Sequence, residues 1–322
     1  MSTAALKVSH LSVWLHGANG RRTLVDDISF EIQAGEVAGL VGESGCGKTM
    51  TAFAIFDQLP DAAMRFEAET IEVNGKEISA MHRRQKRQYL GRDITMIFQQ
   101  PGTAFDPVFT IGNQIQAVFK RHMGGSQKTT RNATLEVLAG VGFNQPEKIA
   151  SAYPFQLSGG MRQLAMIAMA TVCQPSVLIA DEPTTALDIS TRVMILQQLK
   201  RLQTESNMAI LMISHDLSVI RQLCQHVMVM YCGRIIETAN SRQLFAQPHH
   251  PYSAGLIDCI PDISAGRTDD IHTIAGRVPS MNELPGGCHF APRCNHADNG
   301  CSLKAPALES YKDGKVACFN PL

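Results

Sequence analysis

No apolar run in the sequence reaches the ~18 residues needed to cross a bilayer. The N-terminus has no basic stretch leading into a short apolar core, so no secretory leader is expected. Neither charge sign is in excess, with 29 Lys+Arg against 29 Asp+Glu, and no dense basic run stands out. A dominant nucleic-acid surface is therefore not expected. Internal repeats are absent. So is the pair of C-x2-C knuckles that usually marks zinc. These absences point to a soluble or peripheral protein of the cytoplasm.

What is present is 322 residues with 44% hydrophobic content, enough for one large core or two unequal ones. Nine cysteines in a chain read as cytoplasmic argue against a disulfide framework. Cys46, Cys173, Cys224, Cys232 and Cys259 are scattered, while four more fall between Cys288 and Cys318. After about residue 260, Pro and Gly increase and periodicity fades, which places a boundary between residues 1–258 and 259–322.

Leu6 to Val13 and Ile28 to Ile32 alternate like strands, with polar Gly17 to Arg22 as a loop between them. Asn74-Gly75 inside Thr70 to Ile78 signals a hairpin. A small antiparallel sheet is thus expected around the strand Glu36 to Val41, and Ile94 to Phe98 reads as another strand. Thr110 to about Leu157 is helical, broken by a polar linker from Gly124 to Arg131. Gly159 to Val172 and Ser190 to Glu205 read as helices, Val177 to Ala180 and Met208 to Ile213 as strands. That alternation predicts an α/β fold with a largely parallel sheet.

Between the strand Glu36 to Val41 and a helix-compatible segment, Lys48 to Leu59, lies Gly42-Glu43-Ser44-Gly45-Cys46-Gly47-Lys48-Thr49. This is G-x-x-x-x-G-K-T in the strand–loop–helix setting of a phosphate-binding loop. Its glycines let successive N–H groups curl inward, and the helix N-terminus adds positive potential. Lys48 suits the β- and γ-phosphates of ATP, Thr49 suits Mg²⁺, and Met50 completes the nucleotide-binding stretch. Cys46, at a helix N-terminus, is either a reactive thiol of lowered pKa or a small residue without a chemical role.

Val177 to Asp181 is an apolar strand ending in a carboxylate, where open α/β sheets place ligands. Asp181 is a candidate Mg²⁺ ligand, and Glu182 is placed to deprotonate an attacking water. Leu157-Ser158-Gly159-Gly160-Met161 opens a long helix and offers a second anion site. With two such elements in one chain, the sequence resembles the ATP-binding cassette (ABC) family, whose LSGGQ-type signature residues 157–161 match with Met at the last place. The resemblance implies a P-loop ABC domain with an antiparallel β subdomain and a helical subdomain at about 101–165. It makes Gln99 the Q-loop residue touching Mg²⁺ and water, Asp188 part of the D-loop and His215 the switch histidine. Ser158 to Gly160 would face ATP held by an opposite subunit. Trp14 or His16 would stack on adenine. Leu164 departs from the Arg common at that place.

Pro248-His249-His250-Pro251-Tyr252, followed by Cys288, Cys294, Cys301 and Cys318, is similar to the C-terminal extension of the branch importing oligopeptides, dipeptides, nickel and related solutes. On residues alone, four thiols with gaps of five, six and sixteen suit zinc, an iron–sulfur cluster or free thiols. The branch implies a 4Fe–4S cluster.

The resemblance implies an ATPase driving import of a small peptide-like solute, a metal or a metal chelate, from the cytoplasmic face of the membrane. Its partners would be a second, non-identical ATPase subunit, two permeases and an extracytoplasmic solute-binding protein, with no nucleic acid. The rivals are a soluble ABC ATPase acting on ribosomes or nucleic acid, and a metal-binding regulatory module. Tandem cassettes, a basic linker and a coiled-coil insertion, which would favour the former, are missing.

Overall fold

The first two apolar runs form strands longer than their alternation predicts: β1 (Leu6–Gly17) and β2 (Gly20–Ile32). The computed structural model describes residues 3–17, 20–185, 187–260, 273–281 and 283–322. Leu6 and Val8 are buried, then Leu11 and Val13. The alternation slips at His10, whose left-handed backbone (φ 51) marks a bulge, and Asp27 of β2 shares that conformation. Most of the expected loop at 17–22 is strand instead, and Arg21 finds partners there. Arg21 stacks over Trp14 at 3.8 Å and pairs with Glu67 at 3.9 Å.

Next come β3 (Val37–Val41), α1 (Lys48–Ile55), β4 (Met64–Glu67), β5 (Thr70–Val73) and β6 (Lys76–Glu77). Helix α1 stops short of Leu59, since Asp57 turns left-handed (φ 54). Asn74 (φ 52) and Gly75 (φ 72) make the tight turn their pairing predicts. Then follow α2 (Arg83–Tyr89), β7 (Ile94–Ile97), α3 (Pro101–Ala104), α4 (Ile111–Met123), α5 (Gln127–Gly140) and α6 (Pro146–Ser151). The linker expected to reach Arg131 ends at Ser126, whose hydroxyl accepts the Thr129 N–H at 3.2 Å and starts α5 early.

The remainder contains α7 (Gly159–Thr171), β8 (Val177–Asp181), α8 (Ile189–Ser206), β9 (Ala209–Ser214), α9 (Leu217–Leu223), β10 (His226–Tyr231) and β11 (Arg234–Asn240). After these come α10 (Ser241–Ala246), α11 (Pro251–Asp258), α12 (Asn299–Leu303), β12 (Glu309–Tyr311) and β13 (Gly314–Val316).

Two compact units emerge. One comprises Met1–Lys7, Glu31–Glu36 and Thr70–Leu211. In it β7 and β8 pair in parallel, Ile94 opposite Val177. Helix α7 packs against α3, α4, α5, α8 and β7 and buries Gln163 to Ala168. The other unit comprises Val8–Phe30, Val37–Glu69 and Met212–Leu322. There the fully buried β3 pairs in parallel with β10, rather than sitting within the antiparallel sheet that the sequence suggests around it. Strand β4 pairs with β1 in a separate antiparallel sheet. From β10 the larger sheet continues antiparallel through β11 and β13 to β12, so the tail's hairpin extends the phosphate-loop sheet.

Candidate functional site

In the second unit, the loop after β3 makes a tight turn that depends on its glycines. A Cβ on Gly42 would run into the Met230 carbonyl oxygen and stand 2.8 Å from Cys46 Sγ, so only glycine fits. Gly45 and Gly47 also have positive φ, and Gly47 is the N-cap of α1. Lys48 is buried, and its Nζ donates to the carbonyls of Gly42 at 2.8 Å and Glu43 at 3.0 Å. The ammonium thereby ties the ends of its own loop. Ser44 and Gly45 are exposed, Thr49 and Met50 half-buried.

Cys46 does not have the lowered pKa a helix N-terminus suggests. Burial pushes its thiol up, outweighing the Lys48 charge, and the inert reading stands. Elsewhere in this unit, His215 is exposed in the bend after β9. Trp14 is half-buried, donates Nε1–H to His16 Nε2 at 2.9 Å, and has one ring face covered by Arg21.

The first unit carries the acidic residues. Asp181 ends β8 and is buried. Glu182 follows in the left-handed region (φ 47), a conformation that costs energy and concentrates at working sites. Its Oε2 accepts from Gln99 Nε2 at 2.7 Å and Thr185 Oγ1 at 2.9 Å. Two motifs 83 residues apart thus meet at one carboxylate. Ser158 caps α7, accepting the Met161 N–H at 3.3 Å, with Gly159 and Gly160 in the first turn. Asp188 caps α8, and hydrogen bonds from Ser190 and Thr191 hold its carboxyl well below the usual range.

The four tail cysteines come together but do not form a metal centre. Cys288, Cys294, Cys301 and Cys318 line one cavity with Phe290 and Phe319, of only about 10 Å³. Among the described residues, no group of three or more His, Cys, Asp or Glu stands so as to hold a metal ion. Burial pushes the thiols of Cys288, Cys294 and Cys318 up, Cys318 to about 11. The donor type suits the expected 4Fe–4S cluster or zinc, but the arrangement does not.

Sequence reading missed three features. Tyr252 accepts the Glu43 N–H at 2.9 Å, and Arg293 forms an ion pair with the Glu43 carboxylate at 2.7 Å. Neither partner had a local signal. The third is a basic concavity lined by Arg83, Arg84, Arg87, Arg92, Arg121 and His122, although the chain as a whole is neutral. The run from His82 to Arg87 was its visible trace.

Comparison with known proteins agrees with this geometry. Residues 25–185 match the family described as ABC transporter, and residues 236–301 match the oligopeptide/dipeptide transporter C-terminal region. The dipeptide transport ATP-binding protein DppD of Escherichia coli (strain K12) is 39% identical over 99% of this chain and 97% of its own length. The oligopeptide transport ATP-binding protein OppD of the same organism is 42% identical, over 99% and 94%. The fold is similar to the ATP-binding cassette MJ0796 in its dimeric post-hydrolysis structure with ADP and Pi. There the TM-score is 0.65 at 23% identity, covering 74% of this chain and 99% of that one. The chain therefore belongs to the ABC transporter family, as an ATP-binding subunit of its oligopeptide/dipeptide importer branch.

Proposed function

We propose that this ABC ATPase powers import of di- or oligopeptides from the cytoplasmic face of the membrane. The observation that carries the reading is its likeness, over nearly the whole chain and including the tail, to relatives named for dipeptide and oligopeptide transport. Import of nickel or a metal chelate has no such support.

Residues 42–50 would hold the ATP phosphates, with Lys48 exchanging its loop carbonyls for β- and γ-oxygens. Thr49 in one unit, and Asp181 and Gln99 in the other, would each offer a hard oxygen donor of the kind that suits Mg²⁺, which would neutralise phosphate charge. Glu182 acts as general base toward water, its Oε2 oriented by Gln99 and Thr185. His215 would contact the γ-phosphate, and Trp14, backed by Arg21, would stack on adenine.

Ser158, Gly159, Gly160 and Asp188 would serve ATP held by a second, non-identical ATPase subunit. Exposed Ile189, Val193 and Met194, beginning one residue after Asp188, support an apolar contact there. The segment 101–110 and the helices behind it would receive the permeases. Exposed Val108, Phe109, Tyr153 and Phe155 support that assignment, the two rings of Tyr153 and Phe155 stacked at 5.6 Å. An extracytoplasmic binding protein would select the solute.

The complex carrying Glu182→Gln should still bind ATP but hydrolyse it about 10²–10⁴-fold more slowly. Lys48→Ala should lose nucleotide binding itself. Cells carrying either variant should fail to take up labelled dipeptide. Near-normal hydrolysis by the Glu182→Gln complex would refute the general-base role, and unaffected dipeptide uptake the substrate class.

A further inference from the structure

Glu43 is a carboxylate inside a loop that, on the reading above, must hold a polyanion. Left alone, it would repel the phosphates. It is not left alone. Arg293, from the C-terminal segment 250 residues later, donates Nη1–H to Glu43 Oε2 at 2.7 Å and Nη2–H to Oε1 at 3.1 Å. This is the two-pronged Arg–carboxylate geometry, which fixes direction as well as charge.

The arginine is itself held in place. Only 4% of its side chain is exposed, whereas Glu43 keeps 28%. Its Nε donates to the Ala275 carbonyl at 2.9 Å, and Nη1 also reaches the Tyr231 hydroxyl at 3.4 Å. Tyr231, Tyr252 and Phe290 pack ring against ring at 4.6 to 5.3 Å beside it. Tyr252, whose hydroxyl accepts the Glu43 N–H, adds a backbone tie to the same loop residue. The second position of the loop is thus fixed by side chain and backbone together, both from the region that follows the ATPase motifs.

We infer that Arg293 is a positioning residue of the nucleotide site: it neutralises the Glu43 carboxylate and fixes the loop in its phosphate-accepting shape. This rests on the reading of residues 42–49 as an ATP site, and the test separates the two. Binding of a fluorescent ATP analogue is measured on the full chain and its variants, with thermal unfolding without nucleotide as the check on folding. Lys48→Ala tests the site. If it binds as the wild type does, the ATP-site reading fails and this inference falls with it.

If Lys48→Ala loses binding, Arg293→Gln is expected to bind roughly tenfold more weakly than the wild type. The double variant Glu43→Gln/Arg293→Gln should regain most of that loss, because the unpaired carboxylate is gone. A merely structural role would leave the double variant as weak as the single one or weaker, and that result overturns the inference. So does an Arg293→Gln affinity within about twofold of the wild type. Should Arg293→Gln not fold, Arg293→Lys takes its place, keeping the charge but losing the fork. About threefold weaker binding, relieved by Glu43→Gln, supports the assignment, and unchanged binding overturns it.

Discussion

His250 is buried, its Nδ1 accepting the Tyr252 N–H at 3.0 Å while its Nε2 has no hydrogen-bond partner among the described residues. Burial holds its pKa down at about 3, against 6.5 in an unfolded chain. The unfolded state therefore binds the proton first. The contribution to stability is complete above pH 6.5 and is lost as pH falls from there toward 3. Between about pH 7.5 and 5.5 the loss from this group is on the order of 1 kcal/mol. His250→Asn keeps a cap acceptor and removes the titration, so its urea-unfolding free energy should fall less over that interval. Equal acid sensitivity in both proteins would discard the assignment. The same environmental control explains Cys46. Its position along the chain suggests an activated thiol, but enclosure by the loop decides otherwise. Sequence supplies the identity of such a residue and its neighbours along the chain. It does not supply the amount of water left around it.

Among the elements, α7 and α8 show how the signature segment is built. A Cβ on Gly160 would collide with Thr191 Cγ2 in α8. Thr191 has little room to yield, since its Oγ1 and backbone N–H both donate to the Asp188 carboxylate, at 2.7 and 2.9 Å. Gly160→Ala should therefore cost about 1–3 kcal/mol in urea unfolding, more than its gain in helix propensity. A Cβ on Gly159 would meet nothing closer than Leu187 Cδ2 at 3.9 Å, so Gly159→Ala should be nearly neutral in stability. Equal costs at the two glycines would mean that the α7–α8 approach is not the constraint. Helix starts were legible where a cap residue stands next to an apolar run, as at Ser158. The core strands β3, β7, β8 and β9 were legible in place, but the parallel pairing of β3 and the tail strands β12 and β13 were not. The early start of α5, set by the local Ser126 cap, and the strand through Gly20–Arg22, where Arg21 meets Trp14 and Glu67, were masked by their polar residues.

At the scale of the whole molecule, each unit draws on separated stretches of chain, and this divides what sequence reveals from what it hides. Contiguous motifs, such as residues 42–49 or 157–161, are visible within a few residues of sequence. The Arg293 clamp on Glu43 and the addition of β13 to β11 depend on partners that only folding brings together. Exposed apolar residues fall between: their type is visible in sequence, but their exposure is not. Val108, Phe109 and Phe155 are 69%, 52% and 68% exposed, which no folded-state role within the unit explains. Phe109→Ser with Phe155→Ser should leave ATP binding intact yet reduce co-purified permease roughly tenfold. Full recovery of permease would place the docking surface elsewhere.

The parallel pairing of β3 with β10 also has a meaning in time. Val37, at the start of β3, donates its N–H to the side chain of Gln225, 188 residues later. At about 5–20 residues per second, the ribosome needs roughly ten to forty seconds to deliver that partner. During this interval β3 lacks the β10 partner that it has in the folded chain. The sheet position of the strand before residues 42–49 is thus completed by a partner made long after it. A chaperone or a pause in translation would have its greatest effect in that interval.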